Sequence, residues 1–171
     1  MITIKRASPD DAALLAEIAI KAFIETHETG VPADSLASYL ATKLTDKTIK
    51  EELSDIENIF YIIYYDEQPA GYSKIIFNKV YPLIETHSVT KMERLYLLKS
   101  FHDLKLGASL FSFNTDVSKN AGQQGMWLYV WKINERAIRF YTKAGFTPIA
   151  SEDFIISETH SNPNHIMYLK Y

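Results

Sequence analysis

The chain has no cysteine among its 171 residues. Disulfides, thiolate-bound zinc and thiol nucleophiles are therefore excluded together. It also lacks any apolar run approaching the roughly 20 residues that span a bilayer. The opening MITIKRASPDD has neither the apolar core nor the small-residue cleavage pattern of a secretory leader. A basic excess is missing too. Eighteen Lys and Arg stand against 21 Asp and Glu, a net charge of −3, which argues against a general nucleic-acid binder. No internal repeat, low-complexity tract or linker-like stretch marks a domain boundary. What is present is 47% hydrophobic and 23% charged, enough apolar surface for a packed core. The expectation is a single cytoplasmic domain over residues 1–171, with neither nucleic acid nor membrane as partner.

Ile2 to Arg6 alternates apolar and polar residues, which predicts a short strand. Ser8-Pro9-Asp10-Asp11 then reads as a helix start, with Ser8 accepting from a free N–H and two carboxylates at the positive end of the dipole. Leu14, Leu15, Ile18, Ala22 and Phe23 carry that helix to about Thr26. Ser35 to Leu44 and Thr48 to Leu53 predict two shorter helices. Asn58 to Tyr65 is a strand on its β-branched and aromatic content, and Asp66-Glu67-Gln68-Pro69 turns it back into Ala70 to Phe77. Asn78 to Ser88 reads as loop and Met92 to Leu98 as strand. The next helix has Gly107 in its opening turn and Leu106, Leu110, Phe113, Val117 and Ala121 as its buried stripe. Met126 to Trp131 is a strand, Asn134 to Lys143 a helix stopped by Gly145, and Phe146 to Ile156 a strand. Ser161-Asn162-Pro163-Asn164 reads as a turn into the last strand, Ile166 to Lys170. This order predicts an α/β chain with a central mixed, mostly antiparallel sheet and helices on both faces.

The densest local pattern is Asn134-x-x-Ala137-x-x-Phe140-Tyr141-x-x-x-Gly145-Phe146. On propensity alone it is a well-capped amphipathic helix whose aromatics are packing residues. Together with Glu93-Arg94-Leu95-Tyr96-Leu97-Leu98-Lys99-Ser100-Phe101-His102-Asp103-Leu104-Lys105-Leu106-Gly107 it resembles the two signatures of the GNAT N-acetyltransferase superfamily, in the right order and with a strand between them. The resemblance covers nearly the whole chain. Glu93 to Tyr96, the hairpin Tyr61 to Lys74 with its Ala70-Gly71-Tyr72, Lys50 to Ser54, and Trp127 to Phe146 are most similar to the bacterial polyamine (spermidine/spermine) N-acetyltransferase subgroup.

The resemblance implies acetyl-CoA as cosubstrate and a primary amine, by the narrower likeness a polyamine, as acceptor. In that family a loop feeding a helix N-terminus wraps the pyrophosphate with backbone N–H groups. Here that loop is His102, Asp103, Leu104, Lys105, Leu106, Gly107 and Ala108. The family pattern Gln/Arg-x-x-Gly-x-Gly/Ala is met only at Gly107, with His102 in the first position and Lys105 where a glycine belongs. The resemblance further implies that Leu95, Tyr96 and Leu97 pair with the pantetheine arm. Leu97 N–H would point at the thioester carbonyl, where negative charge develops. Asn134 is implied as a contact to the arm and Tyr141 as the general acid that protonates the departing thiolate. Glu93 is the implied base for the attacking ammonium.

Glu25, His27 and Glu28 lie where the acceptor is expected to enter, the carboxylates suited to a cation. His160, His165 and Glu158 match no strong ligand spacing, and no metal is expected. The apolar Ile166 to Tyr171 permits pairing of two copies as a homodimer. Two other readings stand beside the first: acetylation of a peptide N-terminus or protein lysine, and a non-catalytic acyl-CoA-binding regulatory module suggested by the altered loop.

Overall fold

A computed structural model describes residues 1–171, which form one seven-stranded sheet covered by helices on both faces. The elements are β1 (Ile2–Arg6), α1 (Ala12–His27), α2 (Ala33–Lys43), α3 (Asp46–Ser54), β2 (Ile59–Tyr65), β3 (Gln68–Ile76), β4 (Thr90–Leu97), α4 (Leu106–Asn120), β5 (Gly125–Trp131), α5 (Glu135–Lys143), β6 (Thr147–Ser157) and β7 (His160–Lys170). Short 3₁₀ turns precede α1 and follow β4. Strand order is β1-β2-β3-β4-β5-β7-β6, and every pairing is antiparallel except β4 with β5. The one parallel pair is the one joined through a helix, as a crossover requires. No helix is long and apolar enough to cross a membrane.

Alternation across the sheet separates two cores. Phe60, Ile62 and Tyr72 turn toward α1, α2 and α3, while Ile59, Ile63, Ile75, Met126 and Leu128 turn toward α4 and α5. At the start of α1, Asp11 accepts from both the Ser8 backbone N–H (2.8 Å) and the Ser8 hydroxyl (2.9 Å). The two residues form a capping box, with the Ser8 side chain toward the Asp11 backbone N–H as the sequence predicts and its hydroxyl also donating to Asp11. The β2–β3 turn is tighter than the sequence predicts. Asp66 and Glu67 carry φ of 46° and 65°, the two-residue turn whose twist matches a hairpin, so Gln68 and Pro69 belong to β3.

Ser161 to Asn164 is strand, not turn. The reversal falls at Glu158-Thr159, and β7 pairs with β6 from His160 onward. Pro163 is tolerated because β5 has ended: Lys132 N–H donates to the Pro163 carbonyl (2.9 Å), so the missing proline N–H faces that same vacated side. β7 also lies between β5 and β6 as far as Tyr168. The backbone of Ile166 to Tyr168 is thus spent inside the sheet, and the C-terminal edge available to a second copy is β6.

The buried stripe of α4 is Leu106, Leu110, Asn114 and Ser118; Ala121 is exposed. Asn114 and Ser118 are admitted because each is fully bonded. Asn114 Nδ2 donates to Leu110 O (2.7 Å) and Ser73 Oγ (2.9 Å). Ser118 Oγ meets Thr90 Oγ1 (2.6 Å) and accepts from Tyr171 (2.7 Å). That hydroxyl chain clamps the end of the sheet where β4 and β5 touch.

Beyond Thr90↔Met126 and Lys91↔Trp127 the two strands part. β4 meanwhile stays paired with β3 to its end. That contact is close at Gly71, where an added Cβ would sit 2.3 Å from Tyr96 O and 3.0 Å from Leu97 Cα. Gly71→Ala must therefore displace β4 backbone, and it should destabilise the fold by about 2 kcal/mol, the usual cost of overpacking. Chemical denaturation measures this, and an unchanged midpoint would mean that the β3–β4 contact is looser than described.

Candidate active site

The parted strands open a cleft of about 770 Å³ on the α4–α5 side. Leu98 N–H bonds to Ala70 O on β3 (3.0 Å). By alternation Leu95 and Leu97 turn their backbone groups the other way, into the gap. Leu97 O is met there by His102 Nε2 at 3.3 Å. Leu95, Tyr96, Leu97, His102, Asp103, Lys105, Leu106, Gly107, Ala108, Asn134 and Tyr141 all line this cleft. Leu104 does not. It is 41% exposed and contributes nothing to the cleft lining.

The loop before α4 reaches the glycine-favouring conformation without the glycine. Lys105 has φ 59° and ψ 14°, and Asp103 φ 69°, a left-handed geometry costing a side chain about 1 kcal/mol. The first N–H groups of α4, at Leu106, Gly107 and Ala108, lie inside the opening turn and have no intrahelical partner. A Cβ on Gly107 would approach Leu97 Cδ1 at 3.3 Å, so the helix start is packed tightly onto β4. Lys99, Lys105 and Arg136 add cations to the same cleft, and Arg136 bridges to Asp103 (3.2 Å). Lys99, Arg136 and Trp131 carry no site role in the sequence signatures that contain them, yet all three line the cleft. Trp131 and Arg136 lie within the quoted Trp127–Phe146 motif, but only the fold brings their side chains to the gap.

Asn134 caps α5, accepting from Ala137 N–H (3.1 Å), and lines the gap from both faces of the sheet. Tyr141 is 7% exposed, and its hydroxyl has no hydrogen-bond partner in the protein. Burial pushes its phenol well above the ordinary tyrosine value, which keeps the proton on.

A second, smaller cavity of about 190 Å³ opens on the α1–α2 side. It shares Thr26, Leu95, Tyr96, Trp131, Asn134, Ala137 and Tyr141 with the large cleft. The two cavities therefore meet through the parted strands, with Tyr141 at the junction.

Glu93 lines the small cavity. The register shifts between Lys74↔Arg94 and Ile75↔Met92, leaving Glu93 as the extra residue of a bulge. Strict alternation would send Glu93 and Arg94 to opposite faces. The bulge instead puts both beside Glu52 and Lys74. Lys74 is ion-paired with Glu93 and with Glu52 (2.7 Å), Lys91 with Glu93 (3.4 Å), and Arg94 Nη2 with Glu52 (3.0 Å). Burial alone would raise the Glu93 carboxyl. Lys74, then Lys91 and Arg94, outweigh it and hold the carboxyl below the ordinary glutamate range.

The expected acceptor residues divide. His27 lines the small cavity, stacked on Phe23 (4.0 Å) and Trp131 (5.2 Å), with Nδ1 3.0 Å from Phe23 O. Burial lowers its pKa, so the ring is neutral. Glu25 lines the large cleft instead, accepting from Lys99 N–H (2.7 Å). Glu28 lines neither cavity and pairs with Lys99 Nζ (3.3 Å) at the surface. His160 bonds to Asn162 (3.0 Å).

Comparisons with known proteins agree with this geometry. The model of the acetyltransferase (GNAT) family matches residues 17–146. An uncharacterised N-acetyltransferase of Lactobacillus delbrueckii subsp. lactis is 26% identical over 157 residues, 92% of this chain and 91% of that protein. An uncharacterised N-acetyltransferase of Mycobacterium tuberculosis is 27% identical over 152 residues, 89% of this chain and 93% of that one. Among solved structures, the PaiA N-acetyltransferase of Thermoplasma acidophilum, crystallised with coenzyme A, superposes with a TM-score of 0.79 at 23% identity, covering 100% of this chain and 99% of that one. With the family model spanning most of its length, the chain belongs to the acetyltransferase (GNAT) family and is an acetyl-CoA-dependent N-acetyltransferase.

Proposed function

We propose that the protein acetylates a small primary amine held in the α1–α2 cavity, with the acetyl thioester in the α4–α5 cleft and Tyr141 as the general acid. The observation that carries this is the unbonded Tyr141 hydroxyl at the junction of two cavities that open from opposite faces of the sheet. The ring is buried, but the hydroxyl oxygen is neither bonded within the protein nor among its buried orphaned atoms, so it opens to the cavities and is free to bond to a ligand.

Acetyl-CoA supplies an activated acetyl group and a thiolate leaving group. The chain's own parts suit that ligand. The free N–H groups of α4, with Lys99, Lys105 and Arg136, form an anion-binding end for a pyrophosphate. The gap-facing backbone of Leu95 and Leu97 can pair with an extended amide-bearing arm. Leu97 N–H faces the position where carbonyl charge develops. The acceptor nitrogen forms the new C–N bond as the C–S bond breaks. Its proton becomes far more acidic as its lone pair is committed, so a carboxylate of low basicity suffices. Glu93, kept ionised by Lys74 and Lys91, takes that proton, and Tyr141 O–H gives its own to the sulfur. The left-handed Lys105 keeps the loop on a path that a glycine would take, which removes the motive for a non-catalytic module.

The polyamine expectation rests on the sequence resemblance. Of the carboxylates expected to suit a cation, Glu25 accepts from Lys99 N–H and Glu28 pairs with Lys99 Nζ.

Tyr141→Phe should lower kcat about 100-fold, the usual contribution of a positioned acid. It should leave the acetyl-CoA dissociation constant and the melting temperature near wild type, because the hydroxyl it removes bonds to nothing in the protein. Free-thiol release and thermal melting read both; unchanged turnover would remove Tyr141 from the mechanism. Since burial raises the Tyr141 pKa, the wild-type rate should climb with pH as the amine loses its proton and show no fall up to pH about 10, the ordinary tyrosine value. A descending alkaline limb below that pH would contradict the raised phenol. Lys105→Gly should keep or improve acetyl-CoA affinity by relieving the left-handed backbone. A tenfold loss would make the lysine itself a phosphate ligand.

A further inference from the structure

The α1–α2 cavity holds polar groups that the protein leaves unsatisfied. Arg94 offers Nη2 to Glu52 (3.0 Å), but Nη1 is buried with no partner. No carboxylate of the surrounding network is free to take it. Glu52 is shared between Lys74 and Arg94, and Glu93 between Lys74 and Lys91. Asn162 Nδ2 and Asn164 Oδ1 are also buried and unpartnered, and both residues line this cavity with Arg94. They sit two apart on β7, on one face of the strand. A fourth atom, Glu93 Oε2, also makes no hydrogen bond but is ion-paired with Lys74. Leaving the buried guanidinium nitrogen and two amide atoms unpaired is costly, and these three atoms around one cavity describe the occupant that would relieve them.

We propose that the acceptor is a small amino acid-like molecule, a primary amine that also carries a carboxylate, with the carboxylate on Arg94 Nη1 and the Asn162 amide and the amine hydrogen-bonded to Asn164 Oδ1. This rests on the acetyltransferase reading above and names its substrate class. A planar guanidinium edge is the side chain best matched to a carboxylate. The aromatic walls, Phe23, Tyr39, Trp131 and Phe154, accept the remainder of the molecule. A polyamine fits these groups poorly. It brings no acceptor for Arg94 Nη1, and the one carboxylate on the cavity wall, Glu93, is already paired with two lysines.

The test compares amines that differ only by the carboxylate: L-lysine with cadaverine, and L-phenylalanine with phenethylamine, with spermidine beside them. Free-thiol release should give the amino acids a kcat/KM on the order of 10- to 100-fold above their decarboxylated partners, the usual worth of a charged hydrogen bond. Arg94→Gln should erase that ratio by slowing the amino acids far more than their decarboxylated partners. The ratio in wild type stands without the variant, so a misfolded Arg94→Gln leaves the test intact. Equal rates within each pair, or faster turnover of cadaverine or spermidine, would overturn the acceptor class while leaving the acetyltransferase function standing. If no amine is turned over, the proposed function fails, and tryptophan fluorescence of a CoA-bound Trp127→Phe variant, in which Trp131 on the cavity wall is the one remaining tryptophan, still decides the cavity. Saturable quenching by the amino acids and not by their decarboxylated partners supports the carboxylate site, and its absence overturns it.

Discussion

Everything functional in this protein depends on two parallel strands that hold together at one end and part at the other. β4 and β5 are paired only at Thr90↔Met126 and Lys91↔Trp127. A chain of hydroxyls from Thr90 through Ser118 to Tyr171 fixes the closed end. Further along, β4 remains bonded to β3, and β5 to β7. The sheet thus continues on each side of the gap while its middle is left unzipped. Backbone groups stranded inside a protein are costly unless something pairs with them. Here they form an internal strand edge, sheltered from other protein chains yet open to an extended ligand. An ordinary edge strand offers the same groups at the surface, where they invite aggregation.

The parting also joins the two faces of the sheet. A continuous sheet would separate the cation-lined cleft beside α4 and α5 from the phenol- and amide-lined cavity beside α1 and α2. Through the gap they share Leu95, Tyr96, Trp131, Asn134 and Tyr141. Under the proposed function each ligand has its own chemistry of recognition, and the two meet only at the reacting atoms. The charges near the gap are arranged with the same economy. Lys74, Lys91 and Arg94 are shared between Glu52 and Glu93, so the Glu93 carboxylate stays ionised despite its burial, and one guanidinium nitrogen of Arg94 is left without a partner.

The sheet and its helices were legible because they depend on local signals. The β-branched and aromatic run Ile59–Tyr65, the Asn134 cap and the Gly145 stop each act within a few residues. The misplaced features depend on neighbours distant in sequence. Ser161 to Asn164 has the composition of a turn, and only the ending of β5 beside it makes Pro163 acceptable in a strand. Asn114 and Ser118 look like the polar face of α4 until Ser73, Thr90 and Tyr171 arrive to bond them. In the site, the motif residues were legible through the family resemblance. The bulge at Glu93 was not, because a one-residue register shift leaves no mark in the sequence of its own strand, and it alone brings Glu93 and Arg94 to one face. Glu25 and Glu28 were expected to receive a cation because acidic residues at a helix end look available. The fold spends both on Lys99.

The central claim, that an acetyl-CoA arm completes the unzipped edge of β4, is tested most directly by amide hydrogen exchange followed residue by residue with and without acetyl-CoA. The account predicts slowed exchange at Leu95 and Leu97 in β4 and at Leu106, Gly107 and Ala108 at the start of α4, with the β2–β3 hairpin unchanged. Binding that leaves the Leu95 and Leu97 amides exchanging as fast as before would contradict it, whatever the activity.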